Sequence, residues 1–131
     1  MLPLEPVHSS AAPRAIGPYV PAIRFGDLVF CSGQTALDPQ TMTLPAVGVE
    51  EQTRLTLENL RAVLVAAGSS PDRVLKTTVF LQNMDHFAAM NAVYGEFFGE
   101  HRPARTTIQA ARLPLDALVE IECIAARSDD A

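Results

Sequence analysis

From Val119 to Ala125 the chain alternates with a period of two. Val119, Ile121, Cys123 and Ala125 fall on one side of an extended segment, and Leu118, Glu120, Glu122 and Ile124 on the other. Arg105, Thr107 and Gln109 share a face of a segment just upstream. The two read as strands joined by a turn at Arg112-Leu113-Pro114, with one charged face and one apolar face. Residues 49–67 change to a helical period: Thr53, Leu57, Leu60, Leu64 and Ala67 form one apolar stripe, with Glu50, Glu51, Arg54, Glu58 and Arg61 opposite it. The acids crowd the helix N-terminus, where the dipole favours them, and Gly68 is a natural stop.

The remaining elements are shorter. Val20 to Phe25 and Leu28 to Ser32 predict two strands around a Gly26-Asp27 hairpin turn. Residues 33–48 read as loop, with Pro39 and Pro45 as breakers. Ser70-Pro71 reads as a capped single turn. Val74 to Gln82 is β-branched and predicts a strand. Asp85 can cap a second helix that ends at Phe98-Gly99, with Phe87, Met90, Asn91, Tyr94, Phe97 and Phe98 inward. Residues 1–15 show no period and read as a loose lead-in, and about the last ten residues lose pattern and end in acids. The order β-β-α-β-α-β-β predicts a single α+β domain over 1–131. It is a two-layer sandwich with both helices on one face of the sheet. The other face mixes Phe30, Phe80, Leu118 and Ile124 with Ser32, Arg105, Glu120 and Glu122. It is too apolar for open water, which predicts that copies of the chain cover it and place polar residues in clefts between subunits.

Composition narrows the function. The 131 residues are 48% hydrophobic and 19% charged, with a net charge of −5. No Lys/Arg cluster is present, so a nucleic-acid partner is not expected. No apolar run is long enough to cross a bilayer, and Met1 to Pro6 lacks a secretory pattern, so no membrane association and a cytoplasmic location are expected. Cys31 and Cys123 read as buried thiols. His8, His86 and His101 are far apart, and no metal is expected.

The candidate chemistry is polar and small. Arg105 suits a bidentate grip on a carboxylate. Its plain alternative is an ion pair with Glu120 or Glu122 across the sheet. Asn91 on an inward helical stripe must find a partner. Tyr19 stands at the mouth of the first strand. Ser32 and Gly33 close the second, read by default as a turn residue and a glycine at positive φ. No histidine pairs with Ser32 for a triad and no Gly-rich phosphate loop follows a strand.

Several segments, in order, resemble the YjgF/RidA family of reactive intermediate deaminases. They are Ala15-Ile16-Gly17-Pro18-Tyr19, Leu28 to Gln34, Glu51-Gln52-Thr53, Leu57-Glu58-Asn59-Leu60, Lys76 to Leu81, Asn91 to Tyr94, Phe97-Phe98, Arg102 to Thr106, and Arg112-Leu113-Pro114 through Glu122. The resemblance runs from about Ala15 to Ala126. It implies a chorismate-mutase-like fold with a mixed sheet, a homotrimer with sites at subunit interfaces, and no cofactor. It implies hydrolysis of 2-imino acids to 2-oxo acids and ammonia. Arg105 matches the carboxylate-binding arginine, and Tyr19, Ser32, Asn91 and Glu120 match positions lining the cleft. Backbone N–H groups near Gly33 and Thr107 would orient the imine, and Glu120 would handle the water. Thr107 replaces a cysteine, and Val20-Pro21 stand where the family pattern reads Ser-Gln, which alters one wall of the site. A non-catalytic, chaperone-like or regulatory metabolite binder and a specialised catabolic enamine or imine hydrolase are the alternatives.

Overall fold

The computed structural model describes residues 1–128. The acidic end expected at 129–131 lies outside them. Six strands are present: β1 (Glu5–Val7), β2 (Ala22–Phe25), β3 (Leu28–Gln34), β4 (Val74–Leu81), β5 (Ala104–Gln109) and β6 (Val119–Ala126). The helices are α1 (Val49–Ala66) and α2 (Phe87–Phe98). All strands join one sheet in the order β1-β2-β3-β6-β4-β5. The β4–β5 pair is parallel and the other pairs are antiparallel, so the sheet is mixed.

The β2–β3 hairpin turns at Gly26-Asp27 as expected, with Phe25 opposite Leu28 and Gly26 at φ +59°. The predicted stripe of α1 is the centre of the core: Thr53, Leu57, Leu60, Leu64 and Ala67 are each 0% exposed. It packs with Met90 and Tyr94 of α2 on Val29, Val79, Val119 and Ile121. Both helices therefore cover one face, and the fold is the expected α+β sandwich of two layers. Truncating a buried leucine in this stripe costs about 2–5 kcal/mol.

Five details differ from the sequence expectation. First, β5 and β6 are not a hairpin. β4 lies between them, because the chain between Gln109 and Val119 crosses over rather than turning back. Second, part of the lead-in is structured: β1 pairs with β2, and Glu5 accepts from Arg24 at 2.9 Å. Third, β6 keeps its pattern to Ala126. Fourth, the turn before α2 is capped by Asn83, whose side chain accepts from the Asp85 N–H at 2.9 Å. Fifth, Phe87 does not face the core; it is 38% exposed.

The face away from the helices carries Phe30, which is 43% exposed, and Ile108, also 43% exposed. No helix is long and apolar enough to cross a membrane among the described residues.

Candidate functional site

The sheet register separates the two charged residues. Thr77 on β4 stands beside Arg105 on β5 and Cys123 on β6, and Cys123 and Thr77 are buried beneath the helices. Arg105 and Thr107 thus lie on the helix side, at the edge of the sheet. Phe80 stands beside Glu120, which places Glu120 on the opposite face. Arg105 does not share a face with Glu120 and Glu122 as expected, and the plain alternative, an ion pair between them, does not form among the described residues. Alternation along each strand was read correctly, but β4 intervenes and sets the two faces apart. Among the described residues Arg105 forms no ion pair, and Arg105 and Glu120 line different pockets.

The Glu120 half is tightly built. Gln52 of α1 accepts from the Leu118 N–H at 2.9 Å, and the Gln82 N–H donates to the Leu118 carbonyl at 3.0 Å. These bonds fix the entry to β6 and hence Glu120. On β3 the register shifts: Cys31 faces Cys123 while Gln34 faces Ile121. The bulge brings Ser32 and Gly33 over Glu120. A Cβ on Gly33 would lie 2.7 Å from Glu120 Oε2 and 2.9 Å from its Cδ. Gly33 is needed for room; its φ is not positive, contrary to the default reading.

Ser32 lies within β3 rather than in a turn. Its hydroxyl donates to the Val20 carbonyl at 2.7 Å and its N–H to the Pro21 carbonyl at 2.9 Å. With its proton committed, Ser32 Oγ faces any ligand as an acceptor. The Tyr19 hydroxyl accepts from the Ile16 N–H at 3.3 Å. An open pocket of about 330 Å³ is lined by Ile16, Tyr19, Ser32, Gly33, Pro114 and Glu120. Burial pushes the Glu120 carboxyl above the ordinary range, and the charge of Glu122 adds to this.

The Arg105 half sits against α2. The guanidinium lies 4.7 Å from the centre of the Tyr94 ring and 5.6 Å from that of Phe87. Tyr94 is itself held by a 2.7 Å hydrogen bond between its hydroxyl and that of Thr77, and burial raises its pKa. The pocket here, about 370 Å³, is lined by Asn91, Tyr94, Gly95, Arg102, Pro103 and Arg105. Asn91 Oδ1 and Thr107 Oγ1 are buried without hydrogen-bond partners. Unpaired acceptors of this kind are costly in a finished site and suit one that a ligand completes.

The sequence-predicted residues therefore form two clusters. Tyr19, Ser32, Gly33 and Glu120 come together, and Asn91 and Arg105 come together beside Thr107 on the same strand. Sequence reasoning missed the supports: Gln52, Asn59, Thr77 and the ring of Tyr94. Gln52 and Asn59 are buried polar residues on α1, and that was the available signal. Cys31 and Cys123 are free, buried and cross-strand partners. Burial and hydrogen bonding to Cys31 raise the Cys123 pKa, the bond being the larger cause. His101 Nε2 bonds the Val74 carbonyl at 2.7 Å.

The sequence profile described as endoribonuclease L-PSP matches residues 9–127. TdcF of Escherichia coli K12, named as a candidate reactive intermediate deaminase, is 48% identical over 125 residues, covering 93% of this chain and 96% of its own. A RutC family protein of Pyrococcus horikoshii is 47% identical over 121 residues, covering 92% and 96%. The crystal structure of E. coli TdcF with bound serine superposes with a TM-score of 0.90 at 46% identity, covering 95% of this chain and 99% of that one.

Proposed function

The chain belongs to the endoribonuclease L-PSP family, the YjgF/RidA/RutC proteins, and from that membership we propose that it deaminates 2-imino acids. The products are 2-oxo acids and ammonia. The observation that carries this reading is Arg105: a guanidinium stacked on two rings, with no carboxylate partner in its own chain among the described residues. It is available to hold a small organic anion. The serine bound to TdcF is a small molecule with a carboxylate, which fits the same grip.

The two halves meet across a subunit seam. Arg105, Asn91 and Thr107 come from one subunit, and Tyr19, Ser32, Gly33 and Glu120 from its neighbour. A homotrimer accounts for this, and it also covers Phe30 and Ile108 on the open face. The substrate carboxylate lies in the fork of Arg105. Glu120, its pKa raised by burial and by Glu122, takes the proton from water as the water oxygen bonds to the imine carbon. The C=N electron pair moves to nitrogen. Glu120 returns its proton to that nitrogen, giving a carbinolamine; it then takes the carbinolamine O–H proton and passes it to the nitrogen, so that C=O forms as the C–N bond breaks and ammonia leaves. Ser32, as an acceptor, orients the N–H of the imine. No cofactor is needed. The cytoplasm, where dehydratases release such imines, is the fitting compartment.

The test is a coupled assay. A serine or threonine dehydratase supplies the imine, and 2-oxo acid release is followed with and without this protein. Acceleration supports the reading. Tight binding of 2-oxobutanoate without acceleration would replace it with a metabolite-binding role, which the serine bound to TdcF also fits. RNA cleavage is disfavoured by the net charge of −5.

A further inference from the structure

We infer that Arg102 is a second anion grip beside Arg105, and that the site favours 2-imino acids whose side chain ends in a carboxylate. The inference deepens the deaminase reading above and rests on it. The chain carries 15 acids against 10 lysines and arginines. Yet the pocket of about 370 Å³ against α2 brings two guanidinium groups together, with no acid among its lining residues. Neither arginine forms an ion pair among the described residues. A cleft lined by one sign of charge concentrates ligands of the other sign.

The plain reading of Arg102 is a helix cap, and in part it is one. Its Nη1 donates to the Gly99 carbonyl and, at 3.0 Å, to the His101 carbonyl, just beyond the end of α2. A guanidinium has five N–H groups. The cap takes the two on Nη1. The Nε–H and the two Nη2–H groups donate to nothing among the described residues. That edge is one that can meet a carboxylate with two parallel hydrogen bonds.

The cap also sets where the free edge stands. Gly99 leaves the helix at φ +65°. The His101 N–H donates to the Phe98 carbonyl at 3.2 Å, and His101 Nε2 meets the Val74 carbonyl at 2.7 Å. Pro103 then fixes φ, and β5 begins at Ala104. Arg102 and Arg105 are therefore held within about 10 Å of each other along the chain. A side chain already held in this way loses less freedom when a ligand binds.

The two arginines divide the substrate between them. The carboxylate beside the imine lies in the fork of Arg105. A second carboxylate, one or two carbons along the side chain, reaches the free edge of Arg102. The imines 2-iminosuccinate and 2-iminoglutarate are of this class. An uncharged side chain leaves that edge in water. Arg102 is thus a specificity residue at the far end of the substrate, away from the bonds that change.

Binding of the 2-oxo acid products to the assembled protein tests this without turnover. 2-Oxoglutarate carries the second carboxylate, and 2-oxohexanoate is of similar length without it. Calorimetric titration of the unaltered protein should give a Kd for 2-oxoglutarate about fivefold or more below that for 2-oxohexanoate. The ratio should shrink with added salt, because Arg102 is exposed. Arg102→Gln should bring the ratio to about one, and Arg102→Lys should keep part of it. Loss of the cap alone would weaken both acids and leave the ratio as it was. A ratio near one in the unaltered protein, or an unchanged ratio in Arg102→Gln, would overturn the inference. Turnover is read separately, on imines generated from alanine, aspartate and glutamate by amino-acid oxidases. If none is turned over, the deaminase reading falls, and the ratio of Kd values still decides the role of Arg102.

Discussion

The Glu120 carboxyl group rests on the backbone of Gly33, with Oε2 only 2.7 Å from where a Cβ would stand. Gly33→Ala should therefore leave the fold almost untouched. Gly33 has no positive φ, and the atom in the way is the end of a flexible side chain. The carboxyl group moves instead. We expect kcat to fall about 10- to 100-fold, since displacements near 1 Å cost that much, with Tm changed by only a few degrees. Thermal melts and steady-state kinetics check the split. Equal losses of stability and activity would show that Gly33 is structural.

Arg105 should divide charge from geometry. Arg105→Lys keeps the positive charge but loses the fork, and Arg105→Ala loses both. We expect Lys to weaken 2-oxobutanoate binding about tenfold and Ala about 100-fold, in line with charge-assisted hydrogen bonds. Calorimetric titration measures both. Neither change should alter the melting temperature much, because the contacts to Tyr94 and Phe87 are worth only about 0.5–1 kcal/mol at a part-exposed site.

Glu120 sets a pH dependence. Its folded pKa is raised, by burial first and by Glu122 second. The folded state thus favours the protonated form. That favourable contribution is full below the unfolded carboxylate pKa and is lost as pH rises through the folded value. Glu120→Gln should accordingly raise Tm at pH 7, with the gain vanishing near pH 4 and below. Activity runs the other way: the base form is required, so the acidic limb of kcat/KM, which reports the free enzyme, should lie above the ordinary glutamate range near 4.5. A limb at or below that range would contradict the role of Glu120.

Much of the fold is legible in the sequence because it rests on local periodicity. The stripe of α1 runs from Thr53 to Ala67 at helical spacing, and Gly26-Asp27 marks its hairpin directly. β1 is three residues long and contains Pro6, too short to show alternation. The insertion of β4 between β5 and β6 is non-local and leaves no period to read. That one fact also explains the misplacement of Arg105. Alternation assigns side chains to faces within a strand, but only register tells which faces neighbouring strands share. Arg105 and Glu120 could be singled out by residue type and strand position; their separation onto opposite faces could not. Gln52 and Asn59 could have been suspected as buried polar residues on α1, although nothing local names Leu118, Thr35 and Leu37 as their partners.

The central claim is that each site takes its anion grip from one subunit and its base from the next. Arg105→Ala and Glu120→Ala subunits, each inactive alone, should be unfolded together, refolded as mixed assemblies and assayed. Independent pairing in an equal mixture restores about a quarter of the sites, because half the seams have an intact arginine and half of those meet an intact glutamate. Recovery of about a quarter of the activity of the unaltered protein is the predicted result. Mixed assemblies verified by mass that remain inactive would contradict it.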